Sequence, residues 1–256
     1  MYVTPKKRLG QHFLWDKNIA RKIVDSLSLD GYTKLIEVGP GTGILTEIMV
    51  ERGLDVYPVE IDPEAFSYIE KRFPSLNSKI FHADFLDFPL SGIFKTPVGL
   101  IGNFPYNISS QIFFKILENR SIVKEAVGMV QKEVALRIAE PPGSRIYGIT
   151  SVLLQAFYNI EYLFSVSEKS FYPSPAVKSA VIKLVRNDTE KLDCNEKIFF
   201  SIVKTAFNKR RKTLRNSLKG LLPAEATQNP ILNKRPEQLE VNEFIHLARM
   251  AEGGKD

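Results

Sequence analysis

One cysteine, Cys194, and three scattered histidines, His12, His82 and His246, are all the thiol and imidazole ligands in this 256-residue sequence. A single cysteine excludes an intramolecular disulfide and a cysteine-based zinc cluster, and histidines this far apart make no metal site, so no metal is expected. Long apolar runs are absent too, since no stretch reaches the roughly 20 residues that span a bilayer. The opening "MYVTPKKRLGQHFL" is basic but lacks the apolar segment of an export signal. These absences point to a cytoplasmic protein with no membrane partner. Internal repeats and low-complexity segments are missing as well, which excludes solenoids and biased tails. What is present is ordinary: 44% hydrophobic and 25% charged residues, enough chain for one large domain or a medium one with a small appendage.

Acidic residues are missing from one long segment. Residues 197–219 carry Lys197, Lys204, Lys209, Arg210, Arg211, Lys212, Arg215 and Lys219 and no carboxylate, while the whole chain has a net charge of only +6. The basicity is therefore concentrated. The run "NKRRKTLRNSLK" is long enough to follow a phosphate backbone, with Lys209, Arg210, Arg211, Lys212 and Arg215 as the contacts. Phe199, Val203, Phe207, Leu214 and Leu218 recur at helical spacing beside it, and Leu214 and Leu218 are expected in a core. The polar stretch "RNDTEKLDCNEK" at 186–197 precedes this pattern. It suggests a domain of residues 1–187 followed by a helical, basic RNA-binding domain of 188–256.

The first 187 residues alternate between two periods. "KNIARKIVDSLS" places Ile19, Ile23 and Leu27 on one helical face behind Asp16, a suitable cap. "KLIEVG" reads as a buried strand, followed by a helix over about 43–53, the strand "DVYPVEID" and a helix "PEAFSYIEKRF" with proline in its first turn. "KIFHAD", "VGLIGN" and "EAVGMVQ" continue the strands, and "IEYLFSV" and "AVKSAVIKLV" close the set. Strands alternating with helices over some 130 residues argue for an α/β fold with helices on both faces of a parallel sheet.

"EVGPGTG" falls where a first strand feeds a first helix. Gly39, Gly41 and Gly43 would let the backbone approach a ligand, and the helix N-terminus offers free N–H groups. The dinucleotide fingerprint wants a third glycine where this chain has Ile44, so a nicotinamide-dependent reductase is disfavoured. Glu60 ends the second strand 21 residues after Gly39, where an acid can accept from both hydroxyls of an unphosphorylated ribose. Asp84, after the third strand, is placed to accept from an adenine amino group, with Phe85 beside it to pack on the ring. Three such groups at successive strand ends describe an adenosine pocket, and S-adenosylmethionine is the natural occupant.

The fourth strand delivers "GNFPYNISS". An exocyclic adenine amine is a poor nucleophile, because its lone pair is delocalised into the ring. Two acceptors on its two hydrogens favour a more tetrahedral nitrogen with the lone pair free. The side-chain oxygen of Asn103 and the main-chain carbonyl of Phe104 suit that role, Pro105 fixes the turn, and Tyr106 can stack on the base. Catalysis would rest on position and electrostatics rather than on a general base.

Taken in order, "RLGQHFL", "EVGPGTGILT", "VEID", "GNFPYNISS", "FYPSPAVKSAVIKL" and "AFNKRRKTLRNSL" make the chain resemble, over nearly its whole length, the small-subunit ribosomal RNA adenine dimethyltransferases of the KsgA type. The resemblance implies a class I S-adenosylmethionine-dependent methyltransferase, Rossmann-like with a mainly parallel seven-stranded sheet and a small all-helical C-terminal domain. It implies N6,N6-dimethylation of two adjacent adenosines in the loop of the last 16S rRNA hairpin, within the immature 30S subunit, by a monomer. It also implies a cofactor pocket of His12, Leu14, Gly39, Glu60, Asp84 and Asn103, joined by the Gly41 and Phe85 of the adenosine reading. Asn103, Phe104 and Tyr106 would hold the base, with Phe171 as a second stacking face. The family often has asparagine at His12 and leucine at Phe104; the second change should matter less, because the role there is main-chain. The antibiotic-resistance type of large-subunit methyltransferase shares this site, and the C-terminal basic motif favours the small-subunit type. A non-catalytic assembly factor is the remaining reading, against which the intact Asn-Phe-Pro-Tyr turn speaks.

Overall fold

The computed structural model describes residues 3–253, which form two compact units. One comprises the chain up to Ala135 with Asn159–Arg186, the other Leu136–Tyr158 with the chain from Asn187. The break at Asn187 falls in the polar stretch, but Leu136–Tyr158 belongs with the helical unit rather than with the sheet.

In the first unit the strands are β1 (Phe13–Leu14), β2 (Lys34–Val38), β3 (Asp55–Glu60), β4 (Phe81–His82), β5 (Val98–Asn103), β6 (Val123–Gln131), β7 (Tyr158–Val166), β8 (Phe171–Tyr172) and β9 (Ser179–Arg186). Its helices are α1 (Lys17–Asp25), α2 (Ile44–Glu51), α3 (Pro63–Arg72), α4 (Leu90–Ile93) and α5 (Ser109–Glu118). Seven strands make one sheet in the order β4-β3-β2-β5-β6-β9-β7, and β1 and β8 form a separate antiparallel pair. From β4 to β6 the neighbours are parallel, and β9 runs antiparallel to β6.

Local chemistry explains these elements. Parallel central strands are covered on both faces and read as continuous apolar runs, as "VGLI" does in the fully buried body of β5. The Asp16 carboxylate accepts from the N–H groups of Asn18 and Ile19 at 2.9 and 3.2 Å, which fixes the start of α1. Ile23 of that helix is fully buried among Leu35, Met49 and Val127, with Ile19 and Leu27 packed against the same cluster. Chain order reverses between β2 and β5, with β3 on one side of β2 and β5 on the other. In such sheets the ligand crevice lies beyond the carboxyl ends of the strands at that switch point. The glycine loop and the Asn-Phe-Pro-Tyr turn leave the sheet there.

The second unit is helical, with α7 (Ile149–Gln155), α8 (Glu196–Asn208), α9 (Leu214–Ser217) and α10 (Val241–Glu252), while α6 (Lys132–Ala139) continues from β6. Phe207 stacks on Phe244 at 5.9 Å, and Phe199, Leu214 and Leu218 are buried as their spacing implied. The basic run is not a helix face. α8 ends at Asn208, residues 209–213 turn, and the Leu214 N–H bonds the Lys234 carbonyl before α9 begins.

Candidate active site

One cleft over the switch point is lined by His12, Gly39, Gly41, Glu60, Asp84, Phe85 and residues Asn103 to Tyr106. Ten residues that the sequence singles out are thus brought together. Leu14 and Phe171 are not among them. They face each other across β1 and β8, both buried in the hydrophobic cluster with Val166. Phe171, expected as a second stacking face, is 3% exposed and does not line the cleft.

The glycine loop runs from β2 into α2 with positive φ at its glycines, and they serve different ends. A Cβ on Gly39 would meet nothing nearer than Pro105 Cγ at 4.0 Å, so a ligand can lie against the main chain there. A Cβ on Gly43 would stand 2.7 Å from Ile69 and Phe73, so that glycine is needed for packing on α3.

Glu60 ends β3 and is 3% exposed. Its two oxygens accept from the N–H groups of Gly41 (3.1 Å) and Asp62 (2.9 Å). Burial pushes its carboxyl above the usual range, the backbone donors at Asp62, Gly41 and Ile61 oppose this, and the Asp62 charge adds to the rise. A carboxylate has about four lone-pair positions, so acceptor capacity is left for a hydroxyl donor. Asp84 accepts the Leu86 N–H on Oδ1 at 2.8 Å, turning Oδ2 to other donors, and Phe85 supplies an apolar wall. An open main chain, two acids with acceptor capacity and an aromatic wall fit the adenosine part of S-adenosylmethionine.

The target side of the cleft is set by residues 102–106. Asn103 Nδ2 donates to the main-chain oxygen of His12 at 2.7 Å. Only the amide NH2 can bond a carbonyl, so Oδ1 is turned the other way. The Phe104 N–H donates to the Met129 carbonyl at 3.0 Å, and its own carbonyl, among the described residues, takes up no hydrogen bond. The Phe104 ring, 1% exposed, lies edge-on to Phe113 and fills the space above Gly102 and Gly128. That pair of glycines makes room for the phenylalanine ring. The Tyr106 hydroxyl shares a hydrogen bond with Ser179, and burial raises its pKa.

Sequence reasoning named His12 for the cofactor pocket but missed that its segment holds this turn. The His12 ring stacks on Tyr106 at 5.3 Å, and its Nδ1 donates to the Pro173 carbonyl at 2.7 Å. Lys6 and Gln11 both bond the buried Asp62, the cap of α3. Burial alone would raise the Asp62 carboxyl, but the donors Lys6, Gln11 and the Glu64 N–H outweigh it and hold it low. The Asp-Pro pair at 62–63 announces a helix cap, but nothing local to it names Lys6 as a partner.

The basic residues belong to the second unit, where Lys209, Arg210, Arg211 and Lys212 line a concave surface with Asn208 and Asn216. Arg210 is tied inward by its bond to the Ser144 carbonyl at 3.1 Å, and Arg215 donates to Asn233 at 3.0 Å. Arg211 and Lys212 are exposed. Among the described residues no group of three or more acids, histidines or cysteines is placed to hold a metal, and no helix is long and apolar enough to cross a membrane.

A parallel sheet with one reversed strand beside β6 and an adenosine-shaped cleft over β2, β3 and β5 defines the class, an S-adenosylmethionine-dependent class I methyltransferase. The family follows from comparison. The sequence model described as ribosomal RNA adenine dimethylase matches residues 3–251, and the chain belongs to that family. It is an enzyme that dimethylates ribosomal RNA adenine with S-adenosylmethionine. It is 53% identical over 253 residues to the ribosomal RNA small subunit methyltransferase A of Bacteroides thetaiotaomicron, covering 98% of this chain and 95% of that one. A dimethyladenosine transferase from Plasmodium falciparum superposes with a TM-score of 0.78 at 25% identity, over 92% of this chain and 96% of the other. The 23S rRNA methyltransferase ErmE shares the fold with a TM-score of 0.69 at 23% identity, over 93% and 99%.

Proposed function

We propose that the substrate is the small subunit's rRNA, in the immature 30S particle in the cytoplasm. The protein acts there as a monomer on two adjacent adenosines in the loop of the last hairpin. The identity to small-subunit methyltransferases supports the choice of subunit. The observation that supports the chemistry is the Asn103 amide bonded to the His12 carbonyl, because it turns Oδ1 away from that carbonyl, and Asn103 and the unengaged Phe104 both line the cleft.

In this reading Gly39 and Gly41 let the methionine end pass close to the main chain, Glu60 takes the ribose hydroxyls, and Asp84 takes the adenine amino group against Phe85. The Leu14 main chain and His12 close the pocket from the N-terminal side. When bound, S-adenosylmethionine supplies an electrophilic methyl group. The protein must then extrude the target adenine, which costs a few kcal/mol. Stacking on the Tyr106 face opposite His12 offsets about 1–3 kcal/mol of that. Asn103 Oδ1 and the Phe104 carbonyl accept the two N6 hydrogens and hold the nitrogen lone pair free. No base is needed before transfer, since the proton becomes acidic only afterwards. Residues 188–256 form the RNA-binding domain of this proposal, with Arg211 and Lys212 on phosphate and Lys209, Arg210 and Arg215 shaping the surface.

Labelled S-adenosylmethionine incubated with undermodified 30S and with 50S particles tests the assignment. Label confined to dimethyladenosine in the 30S rRNA is the expected result; label confined to 50S would reject it.

A further inference from the structure

The Asp84–Phe88 loop is held from outside by a residue that neither the glycine loop nor the base turn accounts for. Lys115, in the last turn of α5, donates from Nζ to the Leu86 carbonyl at 2.6 Å. The same ammonium lies 5.8 Å from the centre of the Phe85 ring, within cation–π range. Leu86 is the residue whose N–H fixes Asp84 Oδ1, so a single residue, Leu86, links the lysine to the adenine acid. Three carboxylates, Glu118, Asp87 and Asp84, face the ammonium, and desolvation nevertheless lowers its pKa.

We infer that Lys115 is a positioning residue for the cofactor's adenine. Its ammonium fastens the loop at the Leu86 carbonyl and backs the Phe85 ring, so that acceptor and apolar wall are preset before the cofactor arrives. α5 begins where the Asn-Phe-Pro-Tyr turn ends. The helix that supports the methyl acceptor therefore also supports the adenine loop of the methyl donor. The inference rests on the assignment of that adenine to Asp84 and Phe85.

Its test uses the full chain and two probes, S-adenosylmethionine and 5′-methylthioadenosine, the latter lacking the amino-acid end. Removing one charge-assisted hydrogen bond should weaken binding on the order of tenfold. Lys115→Met is expected to lower the affinity for both probes by the same factor in calorimetry. It should raise KM for the cofactor with kcat at saturation nearly unchanged, and Lys115→Arg should restore most of the loss. Unchanged 5′-methylthioadenosine affinity in Lys115→Met, or a fall in kcat with KM intact, would overturn the inference while leaving the pocket assignment standing. Asp84→Asn separates the two: if it leaves 5′-methylthioadenosine binding unaltered, the adenine lies elsewhere and both ideas fall.

Discussion

Replacing Gly128 by alanine should disable methyl transfer from a position that touches neither cofactor nor substrate. A Cβ at 128 would stand 2.4 Å from Phe104 Cε2 and 2.9 Å from Cδ2 and Cζ. Carbon atoms rest about 3.5–4.0 Å apart, so the ring must move by about 1 Å. Escape is limited, because Phe113 lies against its edge and Gly102 beneath it is already close. Overpacking of this kind costs about 1–3 kcal/mol, read as a fall in Tm of roughly 2–4 °C for each kcal/mol. The Phe104 carbonyl moves with the ring, and a displacement near 1 Å costs on the order of 100-fold in rate. Affinity for S-adenosylmethionine, measured by calorimetry, should stay within a factor of about two, because Glu60, Asp84 and the glycine loop are untouched. Phe104→Leu in the same background should recover stability and rate beyond additivity, with a coupling of about 0.5–3 kcal/mol. A Gly128→Ala enzyme with native Tm and full methylation of 30S particles would refute the claim that a buried ring aims the carbonyl.

Further outcomes follow from other parts of the molecule. Glu60→Ala should weaken S-adenosylmethionine binding by ten- to a hundredfold, at about 1.5–3 kcal/mol for hydrogen bonds to a charged group, with 30S binding unchanged in a pelleting assay. Glu37 is buried and accepts from Thr46 at 2.6 Å; burial pushes it up to about 8, with the Glu60 charge adding to the rise. The folded chain therefore keeps a proton that the unfolded chain loses between about pH 4.5 and 8. Stability should fall as pH rises through that window by up to about 1.4 kcal/mol per pH unit, and Glu37→Gln should stabilise at pH 8.5 far more than at pH 4.5. A stabilisation independent of pH in denaturant titrations would contradict this. If Arg211 and Lys212 with about two further cations of the basic surface meet duplex phosphate, the logarithm of the association constant should fall against log salt with a slope near −3.6, at ~0.9 per contact. Arg211→Ala with Lys212→Ala should remove about half of that slope.

Much of the site was legible because its signals are local. The glycine loop, the acid ending β3 and the turn after β5 each sit at a strand end that alternation of periods reveals, and parallel topology brings such ends together. Tertiary packing hid the rest. The pattern "FYPSP" gives no sign that Phe171 turns into the core beside Leu14 while Tyr172 stays exposed. Glycine at 128 has meaning only once the Phe104 ring is seen above it. The basic run reads as helix because it contains neither glycine nor proline before Gly220. It turns where the Leu214 N–H finds the carbonyl of Lys234, twenty residues on. Leu136–Tyr158 lies in sequence between two strands of the sheet, and only its packing assigns it to the helical unit.

Asn103→Ala tests the central claim most directly, with methyl incorporation and 30S binding measured on the same preparation. Two acceptors gripping the adenine nitrogen require that the variant still bind 30S particles while transfer at saturating S-adenosylmethionine falls by two or more orders of magnitude. Wild-type rates of dimethyladenosine formation in that variant would contradict the account.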